Sequence, residues 1–193
     1  MAQTASSNLA RLLIAPEVTF GVTPTSGDSQ TLRFTGESLQ FGITTETSQE
    51  IRSDRQIADL IQTGAEASGD INFELSYGTY DDLIAAALGN LWSDNKVTNG
   101  TLAQFFSIEQ GFTDIDQYII YKGMGVNSLN LEFSIDSIIS GSFGFMGAES
   151  IRNDASVMPG TPVEPTDTSV MDSVSGFADL MVGGQSYPCG VSR

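Results

Sequence analysis

Histidine is missing from this sequence altogether, and cysteine occurs once, at Cys189. The first absence removes the commonest general base and the commonest metal ligand. No Ser-His-Asp or Cys-His site can be assembled from this chain alone. The second absence rules out an intramolecular disulfide framework. Positive charge is scarce: 8 Lys and Arg stand against 24 Asp and Glu, a net charge of −16. A chain of this balance does not grip nucleic acid by neutralising phosphates, which takes clustered cations. No stretch approaches the roughly 20 apolar residues of a membrane-spanning helix. The N-terminus, MAQTASSNLARLLIAPEV, lacks the basic start and long apolar core of a secretory signal.

What the chain has is period-two alternation. It is strongest in SLNLEFSIDSIISGSFGFMG, residues 128–147. Leu129, Leu131, Phe133 and Ile135 fall on one side, and Asn130, Glu132, Ser134 and Asp136 on the other. The alternation resumes after Asp136-Ser137 with Ile139, Gly141, Phe143 and Phe145. Successive side chains of a strand point to opposite faces, so this reads as a hairpin with one dry and one wet face. Asp136-Ser137 is placed for the turn.

Upstream, Leu12-Leu13-Ile14 marks a short strand, and a loop is expected from Phe20 to Gln30. In TLRFTGESLQFGI the apolar register switches at Thr35-Gly36, as a strand does when it bends or changes partner. Residues 46–67 are polar but carry Ile51, Ile57, Leu60 and Ile61. They fit neither period and are expected to be a long loop of the kind that is often functional. DINFELSY, residues 70–77, should bury Ile71, Phe73, Leu75 and Tyr77 and expose Asp70, Asn72, Glu74 and Ser76. Thr79 is expected to cap a helix carrying Asp81 and Asp82 in its first turn, with Leu83, Ile84, Ala87 and Leu88 buried and Gly89 ending it. Leu91-Trp92 should pack under that helix. Strands are expected at 102–108 and 117–122, with Gly123 and Gly125 before the 128–147 hairpin. Asp114 and Asp116 lack the glycine and glutamate of a calcium loop.

In YKGMGVNSLNLEFSIDSIISGSFGFMG, residues 121–147, the chain resembles the major tail tube proteins of long-tailed (siphophage-type) bacteriophages. LRFTGESLQF, SQEIRSDRQIADL and GAEASGDINFELSYGTYDDLIAAALG resemble that family's strand, long loop, strand and single helix. The resemblance spans residues 30–152. It implies a mainly β, sandwich or barrel-like tail tube fold with one flanking α-helix and a long assembly loop. It also implies rings of six units, or of three doubled ones, stacked into a virion tail tube that conducts DNA and is assembled in the host cytoplasm. The implied partners are the chain itself and the tape measure, terminator and distal tail proteins. DNA would be only transient cargo, and neither cofactor nor membrane is implied.

On that reading residues 1–152 form the tube β domain and 153–170, with three prolines, a linker or surface arm. Residues 171–193 would begin a further, incomplete β unit. Ile51, Arg52, Arg55, Ile57, Leu60 and Ile61 become the intersubunit loop. Asp70, Asn72, Glu74, Glu132, Ser134, Ser140 and Ser142, the wet sides of the strongest strands, become candidates for the channel face. The inner tube of a contractile secretion system and a monomeric β-sandwich decoration module are the rivals. An enzyme fits worse, for want of a nucleophile–base pair.

Overall fold

The computed structural model describes residues 9–48, 60–134, 136–173, 180–182 and 185–187. The strands are β1 (Ala10–Pro16), β2 (Gln30–Leu32), β3 (Gly36–Glu37), β4 (Gln40–Thr47), β5 (Leu60–Glu74), β6 (Phe105–Phe112), β7 (Gln117–Glu132), β8 (Ser140–Gly147) and β9 (Glu149–Asn153). Together they form one antiparallel sheet in the order β2-β1-β6-β7-β8-β5-β3, with β4 added to β5 and β9 to β7. A separate hairpin, β10 (Leu180–Val182) and β11 (Gln185–Tyr187), brackets Gly183-Gly184.

The two ends of that order are neighbours in sequence, which forces the sheet to curl. Leu32 and Gly36 are four Cα steps apart, at most ~15 Å. Seven strands laid flat would set β2 and β3 about 29 Å apart. The result is barrel-like but open, since β2 and β3 do not pair with each other, and bonds across its interior hold the curl. Tyr121 Oη on β7 donates to Leu39 O at 3.1 Å, and Gln110 Nε2 on β6 donates to Glu37 Oε1 at 2.6 Å. The register switch at Thr35-Gly36 is therefore a change of partner: β2 pairs with β1, and β3 and β4 with β5.

Helix α1 (Asp81–Leu88) covers one side of the core. Thr79 is not its cap. Tyr80 holds that position without a side-chain capping bond, and Thr79 Oγ1 instead bonds Ser76 Oγ (2.6 Å) and Thr166 Oγ1 (2.7 Å). Tyr80 Oη donates to Arg33 O at 2.8 Å and ties the helix to the chain just after β2. Gly89 ends the helix in the left-handed conformation (φ 66°), where glycine alone carries no Cβ penalty. Leu83 and Ala85 are the buried helical positions, while Ile84, Ala87 and Leu88 are half-buried. Trp92 folds back to donate Nε1–H to Asp81 O, yet it and Leu91 remain exposed rather than packed under the helix.

Inside the barrel Ile71, Phe73, Leu83, Phe143 and Phe145 are buried as expected, and Phe73 stacks on Phe143 with centroids 4.7 Å apart. Leu75, Ile84 and Leu129 are partly buried against them. Three expected core residues are not. Leu131 is 40% exposed, Phe133 60% and Tyr77 74%. Leu131 pairs with Gly141 near the last rung of β7–β8, and Phe133 lies beyond it. The alternation continues there, but among the described residues no second layer covers these side chains. Ile135 lies outside the described residues.

Two further expectations change. The strand at 117–122 and the outgoing arm of the 128–147 hairpin are one strand, β7, bent at Gly123 (φ 66°), where Ala148 N donates to Lys122 O. And 46–67 is not simply a loop. Its described ends are strand, and β4 and β5 pair from Gln40↔Ser68 out to Thr47↔Leu60. β8 pairs with β5 only from Ala67 onward, so Leu60–Glu66 and β4 project as a two-stranded arm. Every residue of β4 is exposed.

Residues 154–173 run along the barrel, bonded repeatedly to it. Glu109, buried on β6, accepts from Ser156 Oγ (2.7 Å) and Val157 N (2.9 Å). Arg33 Nη1 donates to Thr168 O at 2.8 Å, and Met171 N to Leu75 O at 2.7 Å.

Candidate functional site

Directly paired residues of an antiparallel ladder project from the same face, so the register states which side chains stand together. Phe73, Phe143 and Ile71 point into the core. Their neighbours therefore point out, in three rungs across β5, β8 and β7. The first is Glu74–Ser140–Glu132, the second Asn72–Ser142–Asn130 and the third Asp70–Gly144–Ser128. Six of the seven candidate channel residues thus share one face. Ser134 does not: it lies two residues beyond β7, exposed in the turn, where Ser137 Oγ donates to its carbonyl at 2.9 Å.

The rungs are close enough for side chains to meet. Asn130 Nδ2 donates to Ser142 Oγ at 3.5 Å. Gly144 has no room for a Cβ, which would stand 2.5 Å from Ser128 Oγ and 3.0 Å from Asp70 Oδ1. No Lys or Arg occupies any position of the three rungs, whose charges are Asp70, Glu74 and Glu132. Glu66 and Ser68 continue the phase of Asp70, Asn72 and Glu74 along β5. Sequence reasoning passed over these two and Ser128, although their step of two was there to follow.

The Glu74 end of this face is held through its backbone by Tyr80, whose Oη also donates to Glu74 O at 3.3 Å. Burial pushes the Tyr80 phenol above its ordinary range, opposed by Arg33 and reinforced by Glu74. Burial does the same to Tyr121, with Glu37 adding to it.

Of the candidate intersubunit residues, Leu60 and Ile61 open β5 on the arm and are 63% and 52% exposed. Ile51, Arg52, Arg55 and Ile57 lie outside the described residues. Ile43 adds a further exposed apolar side chain from β4, and the arm has water on both of its faces.

The architecture is thus a curled antiparallel sheet with one polar strand face, whose only charges in the three rungs are acidic, and a projecting two-stranded arm. The chain belongs to a family described as phage tail tube protein, whose model matches residues 7–193. That match reaches well beyond the 30–152 covered by the motif resemblance, on both sides of it. No curated protein matches the chain. Among solved structures, it is similar to a chain of the anti-feeding prophage baseplate, at 6% identity and a TM-score of 0.57, covering 79% of this chain and 97% of that one. It is also similar to the SPP1 tail tube, at 9% identity and a TM-score of 0.50, covering 78% and 79%. At these identities the likeness is one of fold. The protein is a structural component of the virion tail, in a family of structural rather than catalytic proteins.

Proposed function

We propose that copies of this chain form six-unit rings, or rings of three doubled units, which stack so that the outer face of β5–β8–β7 lines the channel. The carrying observation is the register. It sets Asp70, Asn72, Glu74, Glu132, Ser140 and Ser142 on one continuous face without a cation. DNA moves freely along a wall that does not neutralise its phosphates, whereas a basic wall would hold it. Ser134, in the exposed turn next to the Glu74–Ser140–Glu132 rung, would stand at the rim of that wall.

The arm supplies the contact between protomers. A two-stranded ribbon with both faces in water is marginal by itself, so β4 and Leu60–Glu66 gain stability by docking. Ile51, Ile57, Leu60 and Ile61 would bury against the neighbour, and Arg52 and Arg55 would meet its abundant carboxylates. Assembly takes place in the host cytoplasm. Tape measure, terminator and distal tail proteins are the other partners, with DNA as passing, non-sequence-specific cargo.

Electron microscopy of tubes grown from the purified protein tests the reading. The expected reconstruction has the Asn72–Ser142–Asn130 rung facing the lumen. A tube with that rung on its outer wall sinks the channel assignment, and protein that stays as dispersed monomers sinks the assembly.

A further inference from the structure

The core-facing side of the sheet runs out of cover at both ends of β5. At the arm end, Ala67 belongs to the core and is paired with Phe41, and Ala65 is paired with Ile43, so these four share that side. The ladder then skips Thr63 and pairs Thr45 with Gln62 and Thr47 with Leu60. The alternation of β4 keeps Thr45 and Thr47 in phase with Phe41 and Ile43, which brings Leu60 to the same side. This side of the arm therefore presents Phe41, Ile43, Ala65 and Leu60, all exposed, and no charge. Glu46 and Glu66 pair with Ile61 and Gly42 on the other side. At the far end of β5 the rung Phe73–Gly141–Leu131 carries the core-facing side to its limit. A Cβ on Gly141 would stand 2.7 Å from Phe73 Cζ and 3.0 Å from Leu131 Cδ2, so the two side chains meet over the glycine. Beyond them Leu131 and Phe133 emerge into water as an apolar rim.

Charge decides what can cover these two surfaces. Copies of a chain with a net charge of −16 repel one another, and a contact that sets carboxylate against carboxylate is costly. The arm side with Phe41 and the Leu131–Phe133 rim are both apolar and uncharged, so they can meet without that cost. They cannot meet within one copy. β5 is a single strand of 15 residues that runs through arm and sheet alike, so the arm points away from its own rim. We propose that the Phe41, Ile43, Ala65 and Leu60 side of the arm docks on the Leu131–Phe133 rim of a second copy. The inference rests on the arm being the contact element of the tube, and it adds which side of the arm is used and what that side meets. Docking gives the two-stranded ribbon the second layer it lacks and gives the rim its cover. The two surfaces differ and lie at opposite ends of β5, so the contact is head-to-tail. Such a contact repeats from copy to copy instead of ending at a pair.

The test introduces Ile43→Cys and Phe133→Cys into the Cys189→Ser protein, grows tubes and oxidises them. The doubly substituted chain should give a ladder of disulfide-linked multimers. A mixture of the two singly substituted chains should give dimers alone, since each chain then carries one thiol. A ladder that stops at the hexamer places the contact around a ring, and a longer one places it between rings; either supports the docking. Three results overturn it while leaving the tube reading in place: tubes with no linked species, linkage through Glu46→Cys as efficient as through Ile43→Cys, or linkage of Phe133→Cys chains to one another. Unaltered protein that stays monomeric sinks the tube reading, and this docking with it. Phe133→Ser supplies a second measurement. The monomer's thermal midpoint should match the parent's, because the ring is already 60% exposed. The protein concentration needed for tube growth should rise about tenfold or more, as expected for losing a large apolar side chain from a contact. Growth of the Phe133→Ser protein at the parent's concentration overturns the docking.

Discussion

Phe143 stacks on Phe73 and has no exposed surface, so truncating it removes a large side chain from the centre of the barrel. Phe143→Ala should cost about 3–5 kcal/mol in urea unfolding. Phe133 sits in an equally good alternating pattern, but its ring is mostly in water, and Phe133→Ala should stay within about 0.5 kcal/mol. The sequence distinguishes apolar from polar positions; it does not say where the covering layer ends. The same limit misplaced Tyr77. A second residue-level consequence concerns alkali. Burial raises the Tyr80 and Tyr121 phenols, so each is a weaker acid folded than unfolded. The stability this represents is complete below the unfolded value near pH 10. It is lost as pH rises through the higher folded values. Denaturant midpoints should fall steeply above about pH 10, and Tyr121→Phe should flatten that fall. A slope unchanged in the variant would place the alkaline transition elsewhere.

At the scale of elements, the arm is the part of the fold that sequence reading described least well, for a physical reason. Period two shows in sequence only when one face is dry. β4 and Leu60–Glu66 have two wet faces, so a strand there looks like a polar loop. Phase was readable wherever a core face existed: β5 from Ala67, β8, and the β7 rungs opposite it. That is why six channel candidates could be chosen from wet positions and still prove coplanar. The curling of the sheet left only the register switch at Thr35-Gly36 as its trace. The arm's exposure leads to a prediction. In the free monomer its amides, for example Ile43 and Ile61, should exchange with solvent far faster than those of Phe143 and Leu129, and slow sharply on assembly. Leu60→Ser with Ile61→Ser should leave the monomer's unfolding curve within about 0.5 kcal/mol of the parent, since both side chains are already exposed. Tube growth should fall. Normal growth from the doubly substituted protein would remove the arm from the interface.

For the whole molecule, the distribution of charge matters more than any single carboxylate. Glu74 and Glu132 flank Ser140 in one rung, and ring symmetry would repeat that rung around the lumen. A wall of one sign repels the DNA backbone evenly, so no position along the tube becomes a resting place. Replacing both residues with Lys reverses the sign of the rung. Neither side chain reaches the core, so folding and tube length should be nearly unchanged. DNA passage should slow, because each phosphate held by a lysine releases a counterion and binding of that kind strengthens as salt falls. Raising the ionic strength should therefore restore much of the lost rate in the Lys tubes and do little to the parent. Glu74→Gln with Glu132→Gln separates the two contributions, since it removes repulsion without adding attraction. Its rate should lie between the others and depend weakly on salt. Release rates measured by dye entry into DNA leaving assembled particles would follow parent, Gln and Lys in descending order. If all three release DNA at the same rate at low salt, this face does not line the channel, whatever else it covers.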